Sequence, residues 1–438
     1  MSKTLQVILI AALGVVLLFG GFSGGFIAGH FLPVSSLDPI GAGNPLNAGP
    51  AVSSTTPPQA ATATPQDLQT LFKPFWDAWT IIHQQYVDQP VDDKKLMEGA
   101  IRGMMDSLGD PHSTYMDPQT YKDANSQLAG SYEGIGATVD TTGQLLTVIS
   151  TFPGSPAEKA GLQPGDQVIA VDHKDMTSTS PEIVRQHIIG PAGTQVHLTI
   201  ARKGATDYLE YDITRAKIDT PSATGKMLPN GIAYVQINTF GEKTTQELTA
   251  TLKTLMAQNP KGLVLDLRDN GGGYLQTAVE VVSQFLDKGT VLYEQYGNGT
   301  KNTYDVQPGG LATKVPMVVL INEGTASASE IVSGALQDAQ RAKLVGVVSY
   351  GKGSVQNWVP LSNNEGAVRV TIAKWLTPSG RTIDKKGLTP DVYVPMTEAD
   401  YKANRDPQLD AAVETLMDMI NNNPIPTSVP TPTATPIP

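Results

Sequence analysis

The chain has 438 residues, 40% hydrophobic and 17% charged, a composition that suits a folded protein long enough for more than one core. Its formal charge of −11, with no basic stretch, argues against a nucleic-acid partner, because holding phosphate takes clustered Lys and Arg. Cysteine is absent, which excludes thiol nucleophiles, disulfides and thiolate zinc sites.

The first predicted element is a membrane anchor over residues 1–32. From Thr4 to Leu37 there is no Asp, Glu, Lys or Arg, and residues 5–32 are apolar or small almost throughout. About 20 such residues cross a bilayer as a helix. Lys3 on the N-terminal flank favours that end in the cytoplasm. The expectation is therefore a single-pass cell-membrane protein whose remaining mass is extracytoplasmic, on the periplasmic or cell-surface side. A cleaved signal peptide is the rival reading, but no clear A-x-A site stands near Ala28. Gly21, Gly25 and Gly29 recur four apart, a spacing that lets two membrane helices approach, and a homo-oligomer is left open on that ground.

Residues 33–66 are rich in Pro, Ser, Thr, Ala and Gly and read as a disordered linker, as do the Pro/Thr-rich residues 421–438. The folded part lies between. In residues 67–130 apolar positions such as Phe72, Phe75, Trp79 and Ile82, then Leu96, Ile101 and Met105, predict two amphipathic helices, the second ended by Leu108-Gly109-Asp110-Pro111. Residues 131–215 change to short β-rich runs (Leu145–Ser150, Asp166–Val171, Thr194–Arg202), with short helices at Pro156–Gly161 and Pro181–Ile189. Residues 216–420 alternate strand and helix: strands at Gly231–Phe240, Gly262–Leu267, Val315–Ile321 and Leu344–Ser349, helices at Thr244–Gln258, Tyr274–Leu286 and Ser329–Ala339. Such alternation predicts an α/β domain with partly parallel pairing, whose sites form in loops at strand ends.

Three loops there carry candidate chemistry. Thr325-Ala326-Ser327-Ala328-Ser329-Glu330 opens a helix after a buried strand. Free N–H groups and the dipole at that terminus favour a developing oxyanion, although a serine there also suits a plain helix cap. Gly351-Lys352-Gly353 ends a strand, where burial would lower the lysine pKa and make it a base; an ordinary turn lysine is the plainer reading. Gly271-Gly272-Gly273 after Leu265-Asp266-Leu267-Arg268-Asp269-Asn270 leaves backbone N–H groups available to a ligand, or simply makes a tight turn.

Taken together, R-x-N-G-G-G, a helix-opening S-A-S-E segment and G-K-G-x-V-Q resemble the C-terminal processing (tail-specific) peptidases, with Thr325 where many relatives have Ser. Leu108–Tyr115 resembles the segment preceding that family's PDZ domain, and Tyr132-Glu133-Gly134-Ile135-Gly136 resembles a PDZ carboxylate loop. The resemblance implies a crotonase/Clp-protease-like α/β core, a mixed sheet with flanking helices, interrupted by an inserted PDZ domain. It implies Ser327 as nucleophile, Lys352 as general base and Gln356 as the residue orienting that lysine. Ala328 and either Gly272 or Gly273 would form the oxyanion hole. Gly134, Ile135 and Gly136 would hold the free C-terminus of a protein or peptide substrate, by capturing its carboxylate on backbone N–H groups. No cofactor and no metal enter this chemistry, and no H-E-x-x-H occurs. His112, His173, His187 and His197 lie outside the glycine-rich loops and read as surface or packing residues. Gly346–Lys352 nearly spells a P-loop, but Gly353 stands where Ser or Thr must hold Mg²⁺. The non-enzymatic alternative is an inactive, membrane-tethered PDZ scaffold.

Overall fold

The computed structural model describes residues 66–425 apart from Thr142 and Asn404. The expected anchor at 1–32, nearly all of the 33–66 linker and residues 426–438 of the tail lie outside the described residues. Among the described residues no helix is long and apolar enough to cross a membrane. The chain divides into two units at Val91.

The first unit contains α1 (Gln66–Leu71) and α2 (Lys73–Gln85). The aromatic side chains of α2 pack along the helix itself: Phe75 meets Trp76 edge-on at 5.0 Å, and Trp79 stacks on His83 at 5.2 Å. No residue of α2 is buried, so its apolar face is left open within this unit.

The second unit starts with α3 (Asp93–Asp106), whose N-terminus is capped by Asp92 accepting from the Lys95 N–H. β1 (Thr114–Met116) and α4 (Pro118–Leu128) follow, then β2 (Ser131–Gly134). A β-rich module comes next: β3 (Ala137–Asp140), β4 (Thr147–Thr151), α5 (Pro156–Ala160), β5 (Gln167–Val171), β6 (Lys174–Asp175), α6 (Pro181–Ile188), β7 (Gln195–Ala201) and β8 (Leu209–Thr214). Its sheet runs β3-β4-β5-β7-β8 around a core that includes Leu146, Val168, Leu198 and Ile200. β9 (Ala216–Asp219) closes the module by pairing antiparallel with β2, Ser131 opposite Asp219 and Gly134 opposite Ala216. Entry and exit strands thus lie side by side, the geometry that lets a domain be inserted without disturbing its host.

The host core continues with β10 (Ala223–Met227), β11 (Ile232–Ile237), α7 (Thr244–Met256), β12 (Gly262–Asp266), α8 (Leu275–Val282), β13 (Thr290–Tyr296), β14 (Lys301–Asp305) and β15 (Met317–Ile321). Then come α9 (Ala328–Asp338), β16 (Ala342–Gly346), β17 (Ser354–Pro360), β18 (Ala367–Leu376), β19 (Val392–Tyr393), α10 (Glu398–Lys402) and α11 (Pro407–Asn421). The main sheet runs β10-β11-β12-β15-β16-β19, parallel except for β10, and is therefore mixed. Both faces are covered, and the strands divide their side chains between them with period two. Leu263, Leu265, Val319 and Ile321 join the core with α7, α8 and α9, whereas Val264, Val318 and Leu320 join Ala412 and Leu416 of α11. A second sheet, β1-β18-β13-β14 with β17 beside β18, packs its Trp375 into the first of these cores.

Two elements differ from expectation in ways that matter for the site. α8 stops at Val282 rather than reaching Leu286; the Ser283 hydroxyl turns back onto the Val279 carbonyl, and the next residues form a tight turn. β16 spans Ala342–Gly346 rather than Leu344–Ser349. Gly346 adopts φ +130°, and a Cβ there would fall 2.0 Å from the Ile321 carbonyl oxygen. Only glycine fits, and the chain leaves the sheet early enough for residues 347–352 to turn back toward the start of α9.

Candidate active site

Ser327 stands at the N-cap of α9 with φ 56° and ψ −115°. A non-glycine residue in that region carries strain of order 1–3 kcal/mol, which surrounding structure has to hold in place. Buried contacts of the neighbouring loops do so. The Asn270 carbonyl accepts from the Ala326 N–H at 3.0 Å and from the Ser329 hydroxyl at 2.8 Å, and the Thr325 hydroxyl donates to the Leu267 carbonyl at 2.9 Å. The loops after β12 and β15 are thereby fastened to each other beneath the serine.

The carboxylate of Glu330, one turn into α9 and fully buried, joins the two principal candidates. Its Oε2 accepts from the backbone N–H of Ser327 at 2.9 Å and from that of Lys352 at 2.9 Å. Its Oε1 accepts from the Gly351 N–H at 2.7 Å and the Ser349 hydroxyl at 2.6 Å. Burial pushes this carboxyl above its ordinary range, against the pull of those four donors. Among the described residues no hydrogen bond joins the Ser327 hydroxyl to the Lys352 ammonium; the two residues are brought together through their backbones. Catalytic pairs are commonly apart without substrate and close only when it binds.

Lys352 is half-buried, and its pKa is lowered, first by burial and then by the Arg369 guanidinium, with Glu330 and Asp110 acting in the opposite sense. Arg369 and Asp110 come from distant parts of the chain. β1 pairs with β18, Thr114 opposite Arg369, and Arg369 donates to the His112 carbonyl at 2.9 Å. The Ser113 hydroxyl donates to Asp110 at 2.6 Å and accepts from the Thr371 N–H at 3.0 Å. Burial alone would raise the Asp110 carboxyl, but the bonds from Ser113, Thr371 and the His112 N–H outweigh it and lower the pKa to about 2. His112, expected as a surface or packing residue, is half-buried, and its pKa is lowered by burial and then by the charge of Lys352.

The geometry bears on two further expectations. The Gln356 amide donates to the Ser354 hydroxyl at 2.8 Å and the Thr371 hydroxyl at 3.1 Å, and among the described residues it makes no hydrogen bond to Lys352. It braces β17 against β18, because its backbone lies in that ladder. Gly272 and Gly273 are not equivalent. The Gly272 N–H is taken by the Asn270 side chain at 2.9 Å. The Gly272 carbonyl accepts from the Phe240 N–H at 3.0 Å, so the Gly273 N–H, in the same planar peptide, points the other way. Gly272 serves by its smallness: a Cβ there would lie 2.8 Å from the Ser327 Cβ and 2.9 Å from the Ala328 nitrogen. As the first residue of α9, Ala328 has an N–H with no partner inside the helix.

Ser327, Ala328, Gly272, Gly273, Lys352 and Gln356 line one cleft of about 2210 Å³. The same cleft reaches the β-rich module, where Tyr132 and Ile135 line it. In that loop the Ala157 N–H donates to the Ile135 carbonyl at 2.8 Å and the Phe152 N–H to the Gly136 carbonyl at 3.0 Å. Glu330, Asp110, His112 and Arg369 are the participants that sequence reasoning did not single out. Ser327-x-x-Glu330 has the spacing of a capping box, which could have pointed to Glu330. No local pattern relates Asp110 to Lys352.

Known proteins match this arrangement over most of its length. Residues 231–394 match the model of peptidase family S41, residues 152–202 that of the PDZ domain, and residues 46–120 that of the N-terminal domain of the activating protease CtpB. The carboxy-terminal-processing protease of Bartonella bacilliformis is 40% identical over 358 residues, 79% of this chain and 81% of that one. The carboxyl-terminal-processing protease of Synechocystis sp. is 33% identical over 347 residues, covering 77% and 81%. The crystal structure of a putative S41 protease from Bacteroides fragilis superposes with a TM-score of 0.53 at 17% identity, covering 78% of this chain and 96% of that one, a likeness of fold.

Proposed function

The chain belongs to peptidase family S41 as a serine-type carboxy-terminal processing peptidase with a PDZ domain, and from that premise we propose that Ser327 and Lys352 form its catalytic dyad. The observation that carries the proposal is the single Glu330 oxygen accepting from the backbone N–H groups of both residues, which fixes their relative position at the floor of the cleft.

In this reading neutral Lys352 takes the Ser327 proton as the hydroxyl oxygen attacks the scissile carbonyl. The oxyanion forms against the Ala328 and Gly273 N–H groups, near the positive end of α9. Lys352 then passes the proton to the departing amine, and after acyl transfer it activates the water that frees Ser327. Gln356 acts through Ser354 and Thr371 to keep the lysine strand in place. The loop Gly134-Ile135-Gly136 receives the free C-terminus of the protein substrate, and the shared cleft lets one extended chain reach from there to Ser327. The anchor at residues 1–32 would hold the peptidase on the extracytoplasmic face of the membrane, and the open apolar face of α2 suits a homo-oligomer.

The test is to incubate the protein with an unstructured polypeptide and weigh the products. The wild type should yield new fragments and Ser327→Ala none. Undiminished cleavage by Ser327→Ala would refute the assignment, and no cleavage by either protein would favour the inactive scaffold.

A further inference from the structure

A guanidinium ties α11 to the loop on the oxyanion side of the site. Arg268 stands between the end of β12 and Asn270, and its side chain is largely buried. Its Nε donates to Asp266 Oδ1 at 3.0 Å and its Nη2 to Asp266 Oδ2 at 2.7 Å. Toward α11, Nη1 donates to Asp406 Oδ1 and Nη2 to Asp406 Oδ2, both at 2.8 Å, and Nη1 also reaches Gln408 Oε1 at 3.1 Å. Asp266 is itself buried and accepts from the Tyr234 hydroxyl at 2.7 Å. Asp406 is the N-cap of α11 and accepts from the Leu409 N–H at 2.9 Å, while Gln408 donates to the Val394 carbonyl at 2.8 Å. A planar guanidinium forked onto carboxylates on two sides has its direction fixed as well as its distance.

The residues after Arg268 form the turn that this clamp holds. Asp269 adopts φ 58°, a left-handed backbone that favours glycine, and its N–H donates to the Asn322 side chain at 2.8 Å. Asn270 then serves both halves of the site. Its side chain accepts from the Gly272 N–H, and its carbonyl accepts from the Ala326 N–H and the Ser329 hydroxyl. A rotation at Arg268 would therefore be passed to Gly273 in one direction and to Ser327 and Ala328 in the other. Among the described residues none of α11 lines the cleft, so α11 acts on the site from outside it.

We propose that Asp406 is a positioning residue for catalysis: from the N-terminus of α11 it sets, through Arg268, the orientation of the 268–273 loop and with it the oxyanion donors. This rests on the reading of the Ala328 and Gly273 N–H groups as the oxyanion hole. Asp406 touches no reacting atom. Its loss should leave substrate binding intact and weaken only the stabilisation of the charged transition state.

The experiment uses full-length protein carrying Asp406→Ser or Asp406→Asn. Serine keeps a capping oxygen for the Leu409 N–H but is too short to reach Arg268, whereas asparagine keeps the cap and one acceptor oxygen at full reach. Arg268 retains Asp266 and Gln408 in both, so the fold should survive, and urea denaturation checks it. Two quantities are compared with wild type: kcat and KM on a free-acid unstructured peptide, and inhibition by a peptide boronic acid. The boron takes up the Ser327 oxygen as a tetrahedral anion, with its own oxygen where the oxyanion would stand. Asp406→Ser should lower kcat roughly 10–100-fold with KM within about twofold, because a small misplacement of the reacting groups is that costly. Boronate affinity should fall by a similar factor. Asp406→Asn should lie between, with kcat down about threefold or more, and it decides alone should Asp406→Ser not fold. A kcat within about twofold of wild type in the folded variants, or a fall in kcat that boronate affinity does not follow, would overturn the proposal and leave Asp406 as a helix cap. If the boronate fails to inhibit a wild-type protein that cleaves the peptide, the serine and oxyanion reading falls and the proposal falls with it.

Discussion

Lys352 can accept a proton only when neutral, and a free lysine with pKa near 10.4 is neutral in roughly one molecule in two thousand at pH 7. Burial and Arg369 lower that pKa, so activity should rise with pH through one ionisation below the ordinary lysine value and then level off. The neighbours give the sign a sharper check. Arg369 disfavours the charged lysine, so Arg369→Met should move the midpoint of the rate–pH curve upward. Asp110 favours it, so Asp110→Asn should move the midpoint downward. Shifts in the same direction would contradict this electrostatic account. Glu330→Gln replaces one acceptor oxygen by an NH₂ group facing buried donors. It should cost roughly 2–4 kcal/mol of stability by denaturant titration and lower kcat at least tenfold with KM little changed. Ser327 and Lys352 could be singled out as candidates because each sits in a short motif whose chemistry is local. The Asn270 bond that engages the Gly272 N–H was not, because two adjacent glycines look alike until their peptide planes are seen.

At the scale of elements, the four central strands of the main sheet, β11, β12, β15 and β16, and the helices α7 and α9 could be read from alternating strand and helix patterns. The second sheet could not be assembled in that way. β1 pairs with β18 across some 250 residues of sequence, as in the Tyr115 hydroxyl bond to the Glu365 carbonyl, and hydrophobic periodicity carries no information about such partners. α11 likewise went unassigned, yet it covers one whole face of the main sheet: a Cβ on Gly262 would lie 2.7 Å from a Leu416 methyl. Truncation after Arg405 should therefore uncover Ile232, Val264, Val318, Leu320 and Val345 and give insoluble protein. A soluble, cooperatively unfolding truncation product would show that this helix is dispensable. The early end of β16 at Gly346 makes a complementary case. Gly346→Ala must displace the Ile321 carbonyl, so it should both destabilise the sheet and misplace Lys352.

For the whole molecule, the composition and the change of texture near residues 131 and 216 suggest three blocks. How the middle block connects to its host depends on the β2–β9 pairing, a contact between its two ends. Residues 66–425 contain both cores, so that fragment should fold cooperatively and retain peptidase activity. Activity confined to full-length protein would mean that the N-terminal segment contributes more than attachment. The central claim is that Lys352 activates Ser327, and Lys352→Arg tests it most directly, because arginine keeps the charge and roughly the reach but does not give up its proton. Cleavage of a free-acid peptide should be measured beside its binding. The account predicts near wild-type binding with the rate reduced at least a hundredfold, the usual contribution of a positioned general base. A Lys352→Arg protein that kept more than a few per cent of the wild-type rate would contradict it, whatever the family of the chain.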